Sequence, residues 1–156
     1  MKALIQRVTA GSVVIHGATH ASIEKGFVLL LGVKRGDTPD AAEALAARCA
    51  ALRIFEDAAG KMNLSLHDVA GSVLIVSQFT LYADTRRGNR PGFTEAAPPE
   101  EADALYRVFV RRMEKLLGPE RVRTGVFQAA MEVRIVNDGP VTIMIESKEP
   151  TKEEQL

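Results

Sequence analysis

Phe27-Val28-Leu29-Leu30-Leu31-Gly32-Val33 is the longest apolar run in the 156-residue chain, and it decides the fold. A continuous apolar run predicts a strand covered on both faces, because a strand with one buried face would alternate apolar and polar residues. The run is far shorter than the roughly 20 residues that a membrane-spanning helix needs. We therefore expect a central strand in a protein that has no membrane segment.

Strands are also predicted before and after this run. Residues 2–9 and 12–16 are rich in Val and Ile and are separated by Ala10-Gly11. This arrangement predicts two strands that are joined or bent at the glycine. The apolar residues 72–77 predict a second buried strand, which leads directly into the segment 78–82.

The C-terminal part of the chain has the pattern of two further strands. Apolar and charged residues alternate over 131–135, which is typical of a half-buried strand. A last strand over 141–145 follows Asn137-Asp138-Gly139-Pro140. Gly and Pro commonly interrupt strands, so that tetrapeptide by itself is explained by a hairpin turn.

Two helices are predicted between the strands. Thr38-Pro39 has an N-cap hydroxyl followed by proline at the first helical position. The expected buried stripe of this helix is Ala42, Leu45, Cys49 and Leu52. The second helix runs from about residue 99 to 117 and is stopped by Gly118-Pro119. Its expected core face is Ala102, Leu105, Phe109, Met113 and Leu116.

The element order predicts an α+β fold, a sheet-dominated single domain with mostly antiparallel strands and two main helices. Short connections favour antiparallel pairing over repeated βαβ crossovers. The domain is expected to cover residues 1–147. The charged segment 148–156 lacks a core-forming pattern, which predicts a disordered tail.

The charge balance and the cysteine content limit the partners and the compartment. Lys plus Arg and Asp plus Glu both number 20, so net charge provides no long-range attraction to nucleic acid, and any RNA contact needs a local patch. The single Cys49 cannot form an internal disulfide. Together with an N-terminus that does not resemble a signal peptide, this predicts a cytoplasmic protein.

Common hydrolase and metal motifs do not occur. The sequence has no G-x-S-x-G, H-E-x-x-H or C-x-x-C pattern. His16, His20 and His67 are interpreted as surface residues, and Cys49 as a small buried thiol. No metal site and no cofactor is therefore expected.

Two polar segments could carry chemistry. Ser77-Gln78-Phe79-Thr80 places three hydrogen-bonding side chains at the end of an apolar strand. They either cap neighbouring backbone groups or form a pocket floor whose backbone N–H groups face an oxyanion. Arg86, Arg87 and Arg90 either contact RNA phosphates or form a solvated basic loop.

Taken together, these segments resemble the D-aminoacyl-tRNA deacylase family. Ser77-Gln78-Phe79-Thr80-Leu81 is similar to the first signature of the family, and the segment 137–142 is similar to the second. Gln6-Arg7-Val8, Gly60-Lys61-Met62-Asn63 and Arg90-Pro91 also match the family pattern. The resemblance covers residues 1 to about 147.

The resemblance implies an esterase that hydrolyses D-aminoacyl-tRNA at its 3' end, and glycyl-tRNA also, because glycine has no side chain to exclude. It implies a homodimer in which the catalytic segment Ser77, Gln78, Phe79 and Thr80 meets Gly139 and Pro140 of the second subunit. A cis Gly139–Pro140 bond would serve as the chiral filter against L-amino acids. Arg7 is the expected support of that motif, through its rigid guanidinium.

Three alternatives stay open. The preferred mechanism has backbone N–H groups of Phe79 and Thr80 as the oxyanion hole, with a water oriented by the terminal ribose hydroxyl. In the first alternative Thr80 is a covalent nucleophile. The second is a related proofreading domain for an L-amino acid, and the third is a non-catalytic tRNA-binding module.

Overall fold

The computed structural model describes residues 1–148 as one α+β domain. Of the predicted tail over 148–156, only Lys148 lies within the described residues. The strands are β1 (Lys2–Ile15), β2 (Ala18–Ile23), β3 (Gly26–Gly32), β4 (Phe55–Glu56), β5 (Met62–Leu64), β6 (Ser72–Ser77), β7 (Val122–Thr124) and β8 (Glu132–Glu146). The helices are α1 (Pro39–Ala50) and α2 (Pro99–Leu117), with short 3₁₀ helices at Phe79–Tyr82 and Pro119–Arg121.

The main sheet has the strand order β2-β1-β3-β6-β7, and β8 pairs with β1. The predicted central strand is β3, which is buried along nearly its whole length. The three partners of β1 are all antiparallel, whereas β3 pairs in parallel with β6 and β6 in parallel with β7. Antiparallel pairs are the majority, as expected.

The expectation that crossovers would be disfavoured was wrong for both helices. The helix α1 lies in the connection from β3 to its parallel neighbour β6, and α2 lies in the connection from β6 to β7. Parallel neighbours need such long connections because the chain must return to the same end of the sheet. One consequence is that β6 and β7 end at the same edge.

Two strands are longer than the sequence patterns indicated. Residues 2–9 and 12–16 belong to the single strand β1, and no break occurs at Gly11. Likewise, β8 continues through Asn137-Asp138-Gly139-Pro140, which is not a hairpin turn. In the β1–β8 ladder, Gln6 pairs with Thr142 and Val8 pairs with Asn137, so the segment 138–141 bulges opposite Arg7.

The helices cover one face of the sheet and form the main core with it. Thr38 accepts a hydrogen bond from the Ala41 amide, as an N-cap should, but α1 ends at Ala50, so Leu52 lies beyond it. The stripe of α2 is as predicted except at its end, where Leu117 is buried and Leu116 is 38% exposed. Fully burying one core side chain such as that of Phe109 stabilises the fold by roughly 1.5–3 kcal/mol.

A second, smaller apolar cluster lies on the other face of the sheet. The sheet curls so that β2 approaches β6 and β7 across this face. The predicted alternation over 131–135 is confirmed here, because Val133 and Ile135 pack against the cluster while Glu132 and Arg134 are exposed. Within residues 1–148, no helix is both long enough and apolar enough to cross a membrane.

Candidate functional site

The candidate catalytic segment lies where β6 ends. The chain leaves the sheet at Ser77 and turns into the 3₁₀ helix; we call residues 78–82 the 78–82 turn. The Gln78 amide donates a hydrogen bond to the Leu31 carbonyl oxygen at 2.8 Å, which ties the start of the turn to β3. The first N–H groups of a helix have no partner within the helix. In this turn, the first N–H groups are those of Phe79 and Thr80, which are the predicted oxyanion hole.

A cleft of about 670 Å³ opens at this end of the sheet, and Ser77, Gln78 and Phe79 line it. Its walls come from three other parts of the chain and are mostly apolar. The wall residues include Val33, Phe93, Ala96, Ala97, Pro98, Ala102, Phe127, Ala129, Met131 and Val133. Thr80 is exposed and is not among the lining residues. The sequence predicted a pocket floor at residues 77–80; the first three of these residues line the cleft, and Thr80 does not.

Aromatic and basic side chains lie beside this floor. The Phe79 side chain is 55% exposed, and its ring makes an edge contact with the Phe93 ring, with 4.9 Å between centroids. Arg35 also lines the cleft, and its Nε donates to the Thr94 carbonyl oxygen at 2.9 Å. The cleft therefore combines apolar walls, exposed aromatic surface and one positive charge.

The side chains of the turn bond to each other. The Gln78 side-chain amide donates to Thr80 Oγ1. An amide cannot take the proton of a hydroxyl, so this contact does not activate Thr80 as a nucleophile.

The second candidate segment is the bulge of β8. The Gly139–Pro140 bond is cis, as predicted. Both residues are exposed, and neither lines the cleft of its own chain. The structure therefore does not bring the two signature segments together within one chain.

Arg7 lies directly under this bulge and is only 6% exposed. Its Nε donates to the Asp138 carbonyl oxygen at 3.1 Å, and its Nη1 donates to the Ile54 carbonyl oxygen at 2.8 Å. The same Nε lies 3.4 Å from Asp138 Oδ2. Gly139 has a φ of +131°, and a Cβ there would lie 2.9 Å from the Val141 amide nitrogen and 3.3 Å from Arg7 Nη2, so the bulge requires glycine. Arg7 thus contacts the motif that it was predicted to support.

The remaining sequence candidates lie outside the cleft. Burial raises the pKa of the Cys49 thiol to about 12, which fits the interpretation as a core residue. His16, His20 and His67 are exposed. Within residues 1–148, no group of three His, Cys, Asp or Glu side chains is placed to hold a metal ion.

Sequence reasoning missed most of the cleft wall. Residues 96–98 and 127–129 lie in loops without a periodic pattern, so only tertiary structure places them beside β6. The available signal was an aromatic residue, Phe93 or Phe127, in a loop rich in small residues. Tyr106 was also missed; its hydroxyl donates to the Ile75 carbonyl oxygen at 2.8 Å, and burial raises its pKa.

Known proteins match this chain along nearly its whole length. The D-aminoacyl-tRNA deacylase of Chloroherpeton thalassium is 55% identical over 155 residues, which cover 99% of this chain and 100% of the relative. That of Thermomicrobium roseum is 56% identical over 149 residues, 96% of each chain.

Two solved structures also match this chain along nearly its whole length. One described as c-Myc DNA Unwinding Element Binding Protein has a TM-score of 0.91 at 41% identity and covers 96% of this chain and 100% of that one. A second, described as a probable eukaryotic D-amino acid tRNA deacylase, has a TM-score of 0.80 at 18% identity over 93% and 98% of the two chains, which supports the fold alone. The family model described as D-Tyr-tRNA(Tyr) deacylase matches residues 4–146. On these matches, the chain belongs to the D-Tyr-tRNA(Tyr) deacylase family.

Proposed function

We propose that this chain hydrolyses the ester bond of D-aminoacyl-tRNA in the cytoplasm and releases the D-amino acid and free tRNA. The observation that carries the proposal is the apolar cleft of about 670 Å³ whose floor is Ser77-Gln78-Phe79. The full-length matches to relatives called D-aminoacyl-tRNA deacylase support the same activity.

The size and lining of the cleft suit the 3' end of an aminoacyl-tRNA. Small-molecule sites have volumes of roughly 300–1,000 Å³, a range that accommodates an aminoacyl group with its terminal nucleoside. The exposed Phe79 and the neighbouring Phe93 offer aromatic surface on which an unpaired base can stack.

The proposed reaction needs no side-chain nucleophile. A water oxygen attacks the ester carbonyl carbon, and the negative charge develops on the carbonyl oxygen. The backbone N–H groups of Phe79 and Thr80 stabilise this oxyanion. When the tetrahedral intermediate collapses, the bond from carbon to the ribose oxygen breaks, and a proton from the water ends on that ribose oxygen. The neighbouring ribose hydroxyl orients the water.

The proposed rejection of L-amino acids depends on a second subunit. The exposed Gly139-Pro140 motif does not reach the cleft of its own chain, so its role as a filter requires the cleft of another copy. Arg7 supports the motif through its hydrogen bond to Asp138 and is itself fixed by the one to Ile54. Main-chain atoms held in this way would occupy the position of an L side chain.

The same logic extends the substrate range to glycyl-tRNA. A site that selects by excluding an L side chain has nothing to exclude in glycine, so we propose that glycyl-tRNA is also cleaved.

The test is release of amino acid from D-tyrosyl-, L-tyrosyl- and glycyl-tRNA by the purified chain. We expect the D substrate to react at least about 10²-fold faster than the L substrate, a discrimination that steric exclusion can supply. Equal rates for both enantiomers, or no reaction with either, contradict the proposal. Inert glycyl-tRNA beside an active D substrate contradicts only the exclusion model.

Thr80→Ala tests the mechanism. Its backbone N–H is retained, so we expect appreciable hydrolysis, with a loss of about tenfold or less, the equivalent of one hydrogen bond. Removal of a covalent nucleophile would cost on the order of 10⁶-fold. Trapping an acyl-enzyme on Thr80 by mass spectrometry would favour the nucleophile alternative.

A further inference from the structure

The end of β3 packs directly against the 78–82 turn, and this contact depends on Gly32. A Cβ built on Gly32 would lie 3.1 Å from Leu81 Cβ and 3.2 Å from both the Gln78 carbonyl oxygen and Tyr82 Cδ2. All three atoms belong to the turn. The two distances to carbon atoms are shorter than ordinary van der Waals contacts between carbon atoms, which are about 3.5–4.0 Å, and the third is a close approach to a backbone oxygen. A methyl group at residue 32 therefore fits only if the turn or β3 moves by a few tenths of an ångström.

The contact concerns the backbone atoms that set the shape of the turn. The Gln78 carbonyl oxygen accepts the hydrogen bond of the Leu81 amide at 3.3 Å, which closes the first 3₁₀ turn. Gln78 is also fixed from the other side, because its own amide donates to Leu31 beside Gly32. The N–H groups of Phe79 and Thr80 lie between these two attachments.

Lys2 contacts the other end of the turn. In the β1–β3 ladder Lys2 is the partner of Gly32. Its ammonium group lies 4.9 Å from the centroid of the Tyr82 ring, a cation–π contact. The two residues of this cross-strand pair thus both contact the turn. Gly32 lets the turn pack closely against β3, and the Lys2 ammonium group contacts the Tyr82 ring.

We propose that the pair Lys2–Gly32 is a positioning device for the reaction, which aims the Phe79 and Thr80 amides at the cleft. Neither residue touches the reacting atoms. This inference rests on the proposed function. It assigns the placement of the oxyanion donors to two residues outside both signature segments and outside the cleft lining.

The first test is Gly32→Ala, with Gly71→Ala as the matched control. Gly71 is also buried, and a Cβ there would meet its neighbours at 2.9–3.3 Å, but none of these atoms belongs to the turn or the cleft. A misplacement of 1 Å can cost about 10²-fold in rate, so we expect a kcat for D-tyrosyl-tRNA about tenfold lower in Gly32→Ala, with KM within about twofold. In Gly71→Ala, we expect the thermal midpoint to fall and kcat to be kept.

A second measurement separates this inference from the proposed function. In ¹H–¹⁵N NMR spectra, the Phe79 and Thr80 amides should shift in Gly32→Ala and stay in place in Gly71→Ala, whether or not the protein hydrolyses any ester. Folded Gly32→Ala with unshifted amides or with wild-type kcat overturns the proposal. A wild type that is inactive on D-tyrosyl-tRNA overturns the function instead.

Lys2→Met keeps the proposal testable if Gly32→Ala does not fold. It removes the charge over the Tyr82 ring, and with it the ion pair to the exposed Glu146 carboxylate at 3.8 Å, and it keeps an apolar side chain. We expect kcat to fall at least about twofold with KM unchanged, whereas the exposed Lys61→Met should leave both unchanged. An unchanged kcat in Lys2→Met overturns the role of the pair.

Discussion

At the scale of the residue, Asp84 illustrates how a local ion pair controls a titration. Its carboxylate accepts hydrogen bonds from the Arg86 side chain at 2.9 Å through both oxygens, and one from the Arg86 amide at 3.0 Å. These bonds lower the pKa of Asp84 to about 2. The carboxylate therefore stays ionised at a pH low enough to protonate an ordinary aspartate. Its negative charge offsets part of the positive charge that Arg86 adds to the basic loop.

We expect an NMR titration of Asp84 to have its midpoint near pH 2, and Arg86→Ala to move it back toward the usual 3.8. Because the folded-state pKa is depressed, the contribution to stability is present above about pH 3.8 and is lost as the pH falls toward 2. Arg87→Ala is the control, since Arg87 makes none of these bonds. A midpoint unaffected by Arg86→Ala would contradict the assignment.

Arg7→Lys tests the support under the β8 bulge. A lysine cannot reproduce the guanidinium fork that bonds to both Ile54 and Asp138, so a buried carbonyl oxygen loses its donor. We expect a loss of about 1–3 kcal/mol in the free energy of unfolding, measured with urea. If the filter proposal is correct, hydrolysis of L-tyrosyl-tRNA rises relative to the D substrate.

Arg53→Lys is the control for this substitution. Arg53 also donates to a backbone carbonyl oxygen, that of Asn63, but this bond is exposed. Its replacement should leave both stability and selectivity nearly unchanged. Equal losses in the two variants would mean that Arg7 has no special role.

At the scale of the element, Tyr106 connects α2 to the strand that carries the site. Its hydroxyl and the Gly125 amide both donate to the Ile75 carbonyl oxygen, where the parallel pairing of β6 with β7 ends. We expect Tyr106→Phe to lower the free energy of unfolding by about 1 kcal/mol, the usual net value of one hydrogen bond. Chemical denaturation measures this, and an unchanged stability would show that the remaining donor is sufficient.

The sequence predicted elements well where local chemistry determines them. The N-cap hydroxyl of Thr38, the proline after it and the stop at Gly118 act within one turn, so both helices were located closely. The course of β8 was not predictable in this way. Asn137-Asp138-Gly139-Pro140 has the local chemistry of a turn. However, β8 pairs with β1 on both sides of this segment, and this pairing keeps the strand continuous.

The candidate site also has one part that local sequence predicted and one part that depends on tertiary structure. Polar residues after an apolar strand predicted a cleft floor at residues 77–80, of which 77–79 line the cleft. The walls come from loops whose neighbours are set by the two parallel crossovers, which no local pattern revealed. Positioning by Gly32 was also invisible, because a glycine at a strand end has no sequence signal for what it contacts.

At the scale of the whole molecule, β8 presents a surface suited to a second copy. Within residues 1–148 its only strand partner is β1, so its other edge is unpaired. Val136 and Met144 on this strand are 55% and 44% exposed, and the exposed Gly139-Pro140 lies between them. Exposed apolar residues at an unpaired edge favour association with another chain.

We therefore expect sedimentation equilibrium to give the mass of two 16.9 kDa chains. Met144→Asp should shift the equilibrium toward the single chain, and if the proposed shared site is correct it should reduce hydrolysis in parallel, because each cleft would lack the motif of a second copy. Leu116→Asp, an exposed position on α2, should leave the mass unchanged. A fully active single chain would contradict the shared site.

The β1–β8 ladder also determines when the protein can fold. Lys2 pairs with Glu146 and Val14 with Glu132, so the first strand of the sheet needs the last one. Pairing between strands this far apart in sequence forms slowly during folding, because the chain loses the entropy of closing the long loop before the contacts between the strands stabilise it. On the ribosome, β1, β2, β3 and β6 can assemble while one edge of β1 is still bare. A chain whose synthesis stops before Glu132 keeps that edge of β1 uncovered, and we expect such an incomplete chain to aggregate through it.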